Sequence, residues 1–230
     1  MIHAYWLPLI VLLTLSGSAS TAPLTAQERV NQQMLMAAEA GRDDLVMYML
    51  DKGADIEARD MRAQANTALM LAAKRGHLKV VELLLARGAE INARSADNWT
   101  ALMQSAHQGH LGIVEMLLKH NTNIHTREDR YGNTALILAA DRGHSAMVRL
   151  LLQHGADANA AGTKQGNTAL MQAAAARGGL QTVIELIVSG ADVNASAKDG
   201  WTALMAAARR GNSPLVDLLL TNKARVNART

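Results

Sequence analysis

The sequence predicts an all-α solenoid of about six helix-turn-helix units with projecting hairpin loops, and three observations carry that prediction. Thr-Ala-Leu recurs at Thr67, Thr100, Thr134, Thr168 and Thr202, at spacings of 33, 34, 34 and 34 residues. A fixed period of this length marks stacked supersecondary units, none of which buries its apolar face alone. Behind each Thr come a short Ala-rich segment, a Gly, a Val/Leu-rich segment, and then usually Gly-Ala-Asp/Glu and Asn. Composition agrees: Phe is absent, Pro is scarce, and Ala, Leu and Met are abundant, as suits helices with aliphatic, closely approached cores.

Each part of the unit has a physical reason. Thr is a good N-cap, because its hydroxyl accepts a hydrogen bond from a free N–H of the first turn. The Ala-Ala pair, as at Ala72-Ala73, presents a short, flat surface that lets a neighbouring helix come close. Gly76, Gly109, Gly143 and Gly211 break the chain between the helices. The second helix spaces its apolar residues at helical intervals, for example Val80, Val81, Leu84 and Leu85. Gly88, Gly155 and Gly190 then supply the left-handed residue that ends it. A degenerate copy, with Met34-Leu35-Met36-Ala37-Ala38 and Gly53-Ala54-Asp55, precedes the first Thr-Ala-Leu. That makes six units, at 27–60, 61–94, 95–127, 128–161, 162–195 and 196–230, within a repeat domain of 23–230.

The period, the order Thr–Leu–Ala–Ala–Gly–Leu–Leu–Gly–Ala–Asn and the number of copies resemble the ankyrin repeat family, over nearly all of residues 23–230. The resemblance implies an L-shaped stack whose first helices and hairpins line a concave face, and a non-catalytic role in binding proteins. It extends to exported bacterial ankyrin-repeat proteins, some of which support a periplasmic enzyme. The family's Thr-Pro-Leu-His is here mostly Thr-Ala-Leu-Met, so a Thr–His network gives way to Met packing. The unit at Thr168 carries an extra residue within Ala173–Ala176, expected to bulge or lengthen its first helix. Lys223 and Asn121 replace the terminating Gly, with strain or fraying expected at Lys223.

Residues 1–22 read as a secretory signal peptide. From Met1 to Gln27 there is no Asp, Glu, Lys or Arg. The apolar run Ala4–Leu15 is shorter than the roughly 20 residues that span a bilayer, and Ser16–Ala22 is a small-residue stretch. Cleavage after Ala19 or Ala22 fits this pattern and places the protein in the periplasm or outside the cell. The other reading is an uncleaved N-terminal segment tethering a membrane-bound scaffold.

The rest of the composition excludes more than it assigns. Absent Cys removes disulfides, thiol catalysis and thiolate metal sites. A net charge of +3 with scattered basic residues lacks the dense basic patch of a nucleic-acid binder. No Gly-x-Ser-x-Gly or phosphate-cradling Gly-rich loop is present, and no cofactor is expected. His77, His110 and His144 share one position after the inter-helix Gly and read as structural, while His120 and His154 make only a pair, too few for zinc. The repeated Asp and Asn read as loop bracing. Two patterns remain as candidate partner-binding residues of a monomer. The cations Lys74, Arg75, Arg142, Arg177, Arg209 and Arg210 end the first segments and suit an acidic partner surface, with Arg130, Lys164 and Lys198 on the hairpins and Asp97, Asp141 and Asp199 interrupting. The aromatics Trp99, Tyr131 and Trp201 fall on the hairpins, where such rings serve as binding anchors.

Overall fold

The computed structural model describes residues 23–61 and 64–230, and its helices begin where the repeated Thr places them. Among these residues the pairs are α1 (Ala26–Glu39) with α2 (Asp43–Asp51), α3 (Ala68–Arg75) with α4 (Leu78–Ala86), and α5 (Ala101–Gln108) with α6 (Leu111–Lys119). They continue as α7 (Ala135–Asp141) with α8 (Ser145–Gln153), α9 (Ala169–Ala175) with α10 (Leu180–Val188), and α11 (Ala203–Arg209) with α12 (Ser213–Thr221). The hydroxyls of Thr67, Thr100, Thr134, Thr168 and Thr202 cap the first helices by accepting from the backbone N–H three residues on, at 3.3–3.4 Å. α1 starts differently, on a capping box between Thr25 and Glu28.

First helices pack on first helices along the stack, and second helices on second helices beside them. The Ala pairs are sealed in the first layer: Ala72, Ala73, Ala106, Ala139, Ala140, Ala173 and Ala174 are all buried. Met70, Met103 and Met171 are buried as well, so Met does fill the place that the Thr–His network would take. The second layer buries one Val or Leu stripe per helix, as at Val80, Val81 and Leu84.

Hydrogen bonds then tie unit to unit. The His77 ring nitrogen Nε2 lies 3.0 Å from the Glu39 carbonyl oxygen, and that of His110 lies 3.1 Å from that of Lys74. Each ring therefore bonds the preceding first helix and covers its terminal Gly. A Cβ at Gly76 would stand 2.7 Å from the His110 ring, so Gly is needed there for space as well as for its φ of +83°. The Gly-Ala-Asp-x-Asn turns are braced as expected. Asp157 Oδ1 accepts the Asn159 N–H at 2.8 Å, while Asn159 Oδ1 accepts the Asp192 N–H of the next unit at 2.7 Å.

One expectation needs correcting, and of the two outcomes expected at Lys223, strain and fraying, only the strain is found. The extra residue of the fifth unit does not lengthen α9, which has 7 residues as α7 and α11 do. It enters the inter-helix turn, where Ala176 is extended and Gly179 caps α10, because a longer α9 would break its packing on α7 and α11. A Cβ on Gly179 would run into the Ala173 carbonyl oxygen, so this turn admits only Gly. At Lys223 the turn does not fray. Lys223 adopts φ +65°, and Ala224 N–H still reaches the Leu219 carbonyl at 3.0 Å.

Two stability predictions follow from these positions. Lys223→Gly should relieve a left-handed residue that costs about 1–2 kcal/mol with a side chain, part of which the greater unfolded-state freedom of Gly takes back. Thr182 is fully buried with a hydroxyl that has no hydrogen-bond partner, and its counterpart on α4 is Val80. Thr182→Val should therefore stabilise by about 1 kcal/mol, raising the midpoint by about 2–4 °C. Thermal melts followed by circular dichroism check both; a lower midpoint for either variant contradicts the stated cause.

Candidate functional site

The hairpins form a wall because each is bonded to the next. β1 (Arg59–Asp60) pairs antiparallel with β2 (Asn66–Thr67), and later hairpins close with single bridges at Ala161–Thr168 and Ser196–Thr202. Backbone bonds run from tip to tip: the Ala96 N–H donates to the Gln64 carbonyl at 2.7 Å, Asp129 to Asp97 at 3.1 Å, and Lys198 to Gln165 at 2.9 Å. Side chains repeat the link, with Gln64 donating to Asp97 and Asn98 to Asp129, each at 2.7 Å. Where this wall meets the first helices of the middle units, a groove of about 440 Å³ opens on the concave side. Its floor comes from α5, α7 and α9 through Gln104, Leu138 and Gln172, which share one register four residues after the repeated Thr.

Of the residues singled out from sequence, Trp99, Tyr131 and Lys74 converge on this groove. Both rings are held from behind. The Ser95 hydroxyl accepts the Trp99 N–H at 3.0 Å, and the Glu128 carboxylate accepts the N–H groups of Arg130, Tyr131 and Asn133 at 2.6, 2.9 and 3.0 Å. Glu128 is buried and, like Gln104 on the floor, is a residue that the sequence did not single out. Its signal was a carboxylate at the register where the next two hairpins carry Gly162 and Ser196. Trp201 lies apart, at the last hairpin, with its N–H on Asp199 at 3.0 Å.

The rings are less bare than their loop positions suggested. Trp99 is half-buried on the returning arm of its hairpin, edge-on to His107 at 5.5 Å. Trp201 is also half-buried, with the Arg209 guanidinium 5.0 Å from its ring. Tyr131, 40% exposed, sits at a tip under Arg130.

The cations do not form one free stripe. Arg75 pairs with Glu39 of the unit before at 2.7 Å, and Arg142 donates to His107 Nε2 at 3.0 and 2.9 Å. Arg209 covers Trp201, which leaves Arg177 and Arg210 as exposed cations with no ion pair among the described residues. Their positions explain this: the preceding unit brings an acid or an imidazole, and the unit's own hairpin a ring, to the same end of the first helix. Also among the described residues, no three His, Asp or Glu gather to hold a metal, and no helix is long and apolar enough to cross a membrane. The signal-peptide segment, 1–22, lies outside the described residues.

His107 is the titrating group of the groove. Burial first, and then the Arg142 guanidinium, push its pKa below the usual histidine value. The neutral ring, with Nε2 free to accept, is the form that Arg142 bonds. A histidine with a depressed folded pKa binds fewer protons folded than unfolded, so its contribution is complete above the unfolded value and is lost as pH falls from there through the folded value. The melting temperature should therefore drop between about pH 7.5 and pH 5.5, and His107→Gln should flatten part of that drop. Equal pH slopes for the two proteins would show that His107 is not the group responsible.

Comparison with known proteins agrees with the geometry. The family model for ankyrin repeats (3 copies) matches residues 9–95, 93–162 and 159–230. No curated protein matches the chain. Helix pairs capped by a repeated Thr, bonded hairpins and the family match lead to one conclusion: the chain belongs to the ankyrin repeat family.

Proposed function

We propose that this chain is an exported, non-catalytic scaffold that binds a partner protein as a monomer, through its concave face and hairpin arms. Ankyrin repeats are in general protein-binding modules, and the observation that carries the reading for this chain is the groove itself. Trp99 and Tyr131, each with its backbone N–H pinned by a side chain, stand on one wall of a polar cavity of about 440 Å³. Aromatic rings presented on a preformed wall lose little freedom on binding, which is why they dominate interface energetics. Glu128, the buried carboxylate of the groove, is taken up by three backbone N–H groups and is a brace in this reading, not an acid or base.

Export rests on the charge-free stretch from Met1 to Gln27, followed by small residues. It places the scaffold in the periplasm or outside the cell, where support of an enzyme is one role that suits it. The second reading, a membrane-tethered scaffold, keeps the same stretch uncleaved. N-terminal sequencing of the purified protein separates the two, since a start at Ser20 or Pro23 requires cleavage.

An acidic partner surface is part of the proposal and rests on Arg177 and Arg210, exposed cations outside the groove lining. Reversing Arg177 and Arg210 to Glu should slow association and flatten its salt dependence, with little change in melting temperature. Trp99→Ala should weaken partner binding by about 2 kcal/mol or more, and Trp201→Ala should do so where the partner reaches the last hairpin. Calorimetric titration alongside thermal melts checks this. Variants that melt early yet bind at full strength once folded would make the rings structural and move the contact surface elsewhere.

A further inference from the structure

The groove floor holds a buried polar group that folding leaves unused. Gln104 on α5 shares its register with Leu71 on α3, Leu138 on α7 and the less buried Gln172 on α9, so the fold accepts either an apolar or a polar residue there. Gln104 is only 5% exposed, yet its carboxamide makes no hydrogen bond among the described residues. Neither is that carboxamide sealed inside the protein, since it is absent from the buried atoms without a partner. What remains of its surface opens into the groove that it lines. With that surface the carboxamide stays open to a ligand, whereas Leu at this register offers no polar group. A site built to hydrogen-bond one group has this form before its ligand arrives.

The surroundings narrow the ligand. A carboxamide presents a donor and an acceptor side by side, which matches the N–H and C=O groups of a main-chain segment. Lys74 and Arg130 stand in the groove with three carboxylates, Asp97, Glu128 and Asp141, so the lining has no cationic excess that would call for an acidic group on the floor. Ile137 and Leu138 add an apolar stretch beside Gln104. A sugar fits less well. It would need an open aromatic face, and the Trp99 and Tyr131 rings are already engaged by His107 and by the Arg130 guanidinium.

We propose that the groove takes an extended polypeptide segment of the partner, and that Gln104 pairs through its carboxamide with a main-chain peptide unit of that segment. This rests on the protein-binding reading above and adds to it what kind of protein surface enters the groove: an unfolded or looped strand, with the acidic surroundings of that strand meeting the cations of the rim.

The test uses the full chain and short linear peptides selected against it from a random library. Selected peptides should bind, and their binding should shift the Gln104 side-chain amide resonances in nuclear magnetic resonance spectra. Gln104→Leu should weaken peptide binding about tenfold or more, the cost of leaving the peptide unit unpaired, while its melting temperature stays at or above that of the wild type. That pairing of higher stability with weaker binding is the signature expected of a group kept for its ligand. Undiminished peptide binding by Gln104→Leu overturns the proposal. So does a library that yields no linear binder, or binding of an oligosaccharide array in place of peptides. If Gln104→Leu binds normally while Trp99→Ala does not, only this inference fails and the concave-face reading stands. If both bind normally, both fail.

Discussion

The close approach of neighbouring first helices is the constraint on which everything else in this structure depends. It is possible because the facing residues are Ala, and those of α3, α5, α7 and α9 are buried. Ala loses no side-chain entropy on burial and brings backbones together with no gap to fill. With the first helices this close, hairpin tips are near enough for backbone bonds such as that of Ala96 to Gln64, and the tips become a wall. A larger residue at any of these Ala positions would push two units apart and open both layers.

Side chains at the unit junctions then set the register, and they do not do so evenly. His77 and His110 bond back to the carbonyls of Glu39 and Lys74, and His144 covers Gly109 in the same way. At the next junction the Arg177 carbonyl stands over Gly143, because the extra residue of the fifth unit has entered that turn. The Asn ladder of the other edge lapses one junction earlier, where His125 occupies the place of Asn92 and Asn159. The groove spans these same middle units. Where helper bonds are fewest, the buried Ala pairs and the hairpin bonds carry the stacking.

The groove shows the opposite balance from the core. In the core, polar atoms are paired, Thr182 being an exception that a Val would remove. In the groove, Gln104 stays unpaired, His107 is kept neutral beside a guanidinium, and Tyr131 is held out from the tip by a buried carboxylate. Such arrangements keep polar and aromatic groups available at the groove, where local rules of the core give way to a site.

What the sequence determined by itself was everything local and everything periodic. The Thr caps, the left-handed Gly residues at 88, 155 and 190, the Ala layer and the bracing Asp and Asn follow from short-range hydrogen bonding and backbone sterics, repeated at a spacing visible in one chain. Tertiary structure decided which side chains meet across units. Residues about 35 positions apart in sequence become neighbours on the stack, as Arg142 and His107 do, or Arg75 and Glu39. That proximity turned part of an apparent stripe of cations into paired groups, while the folding of each hairpin onto its own first helix half-covered the two Trp rings. It also placed the fifth unit's extra residue in a turn, because α9 is gripped on both sides while the turn is free to change length.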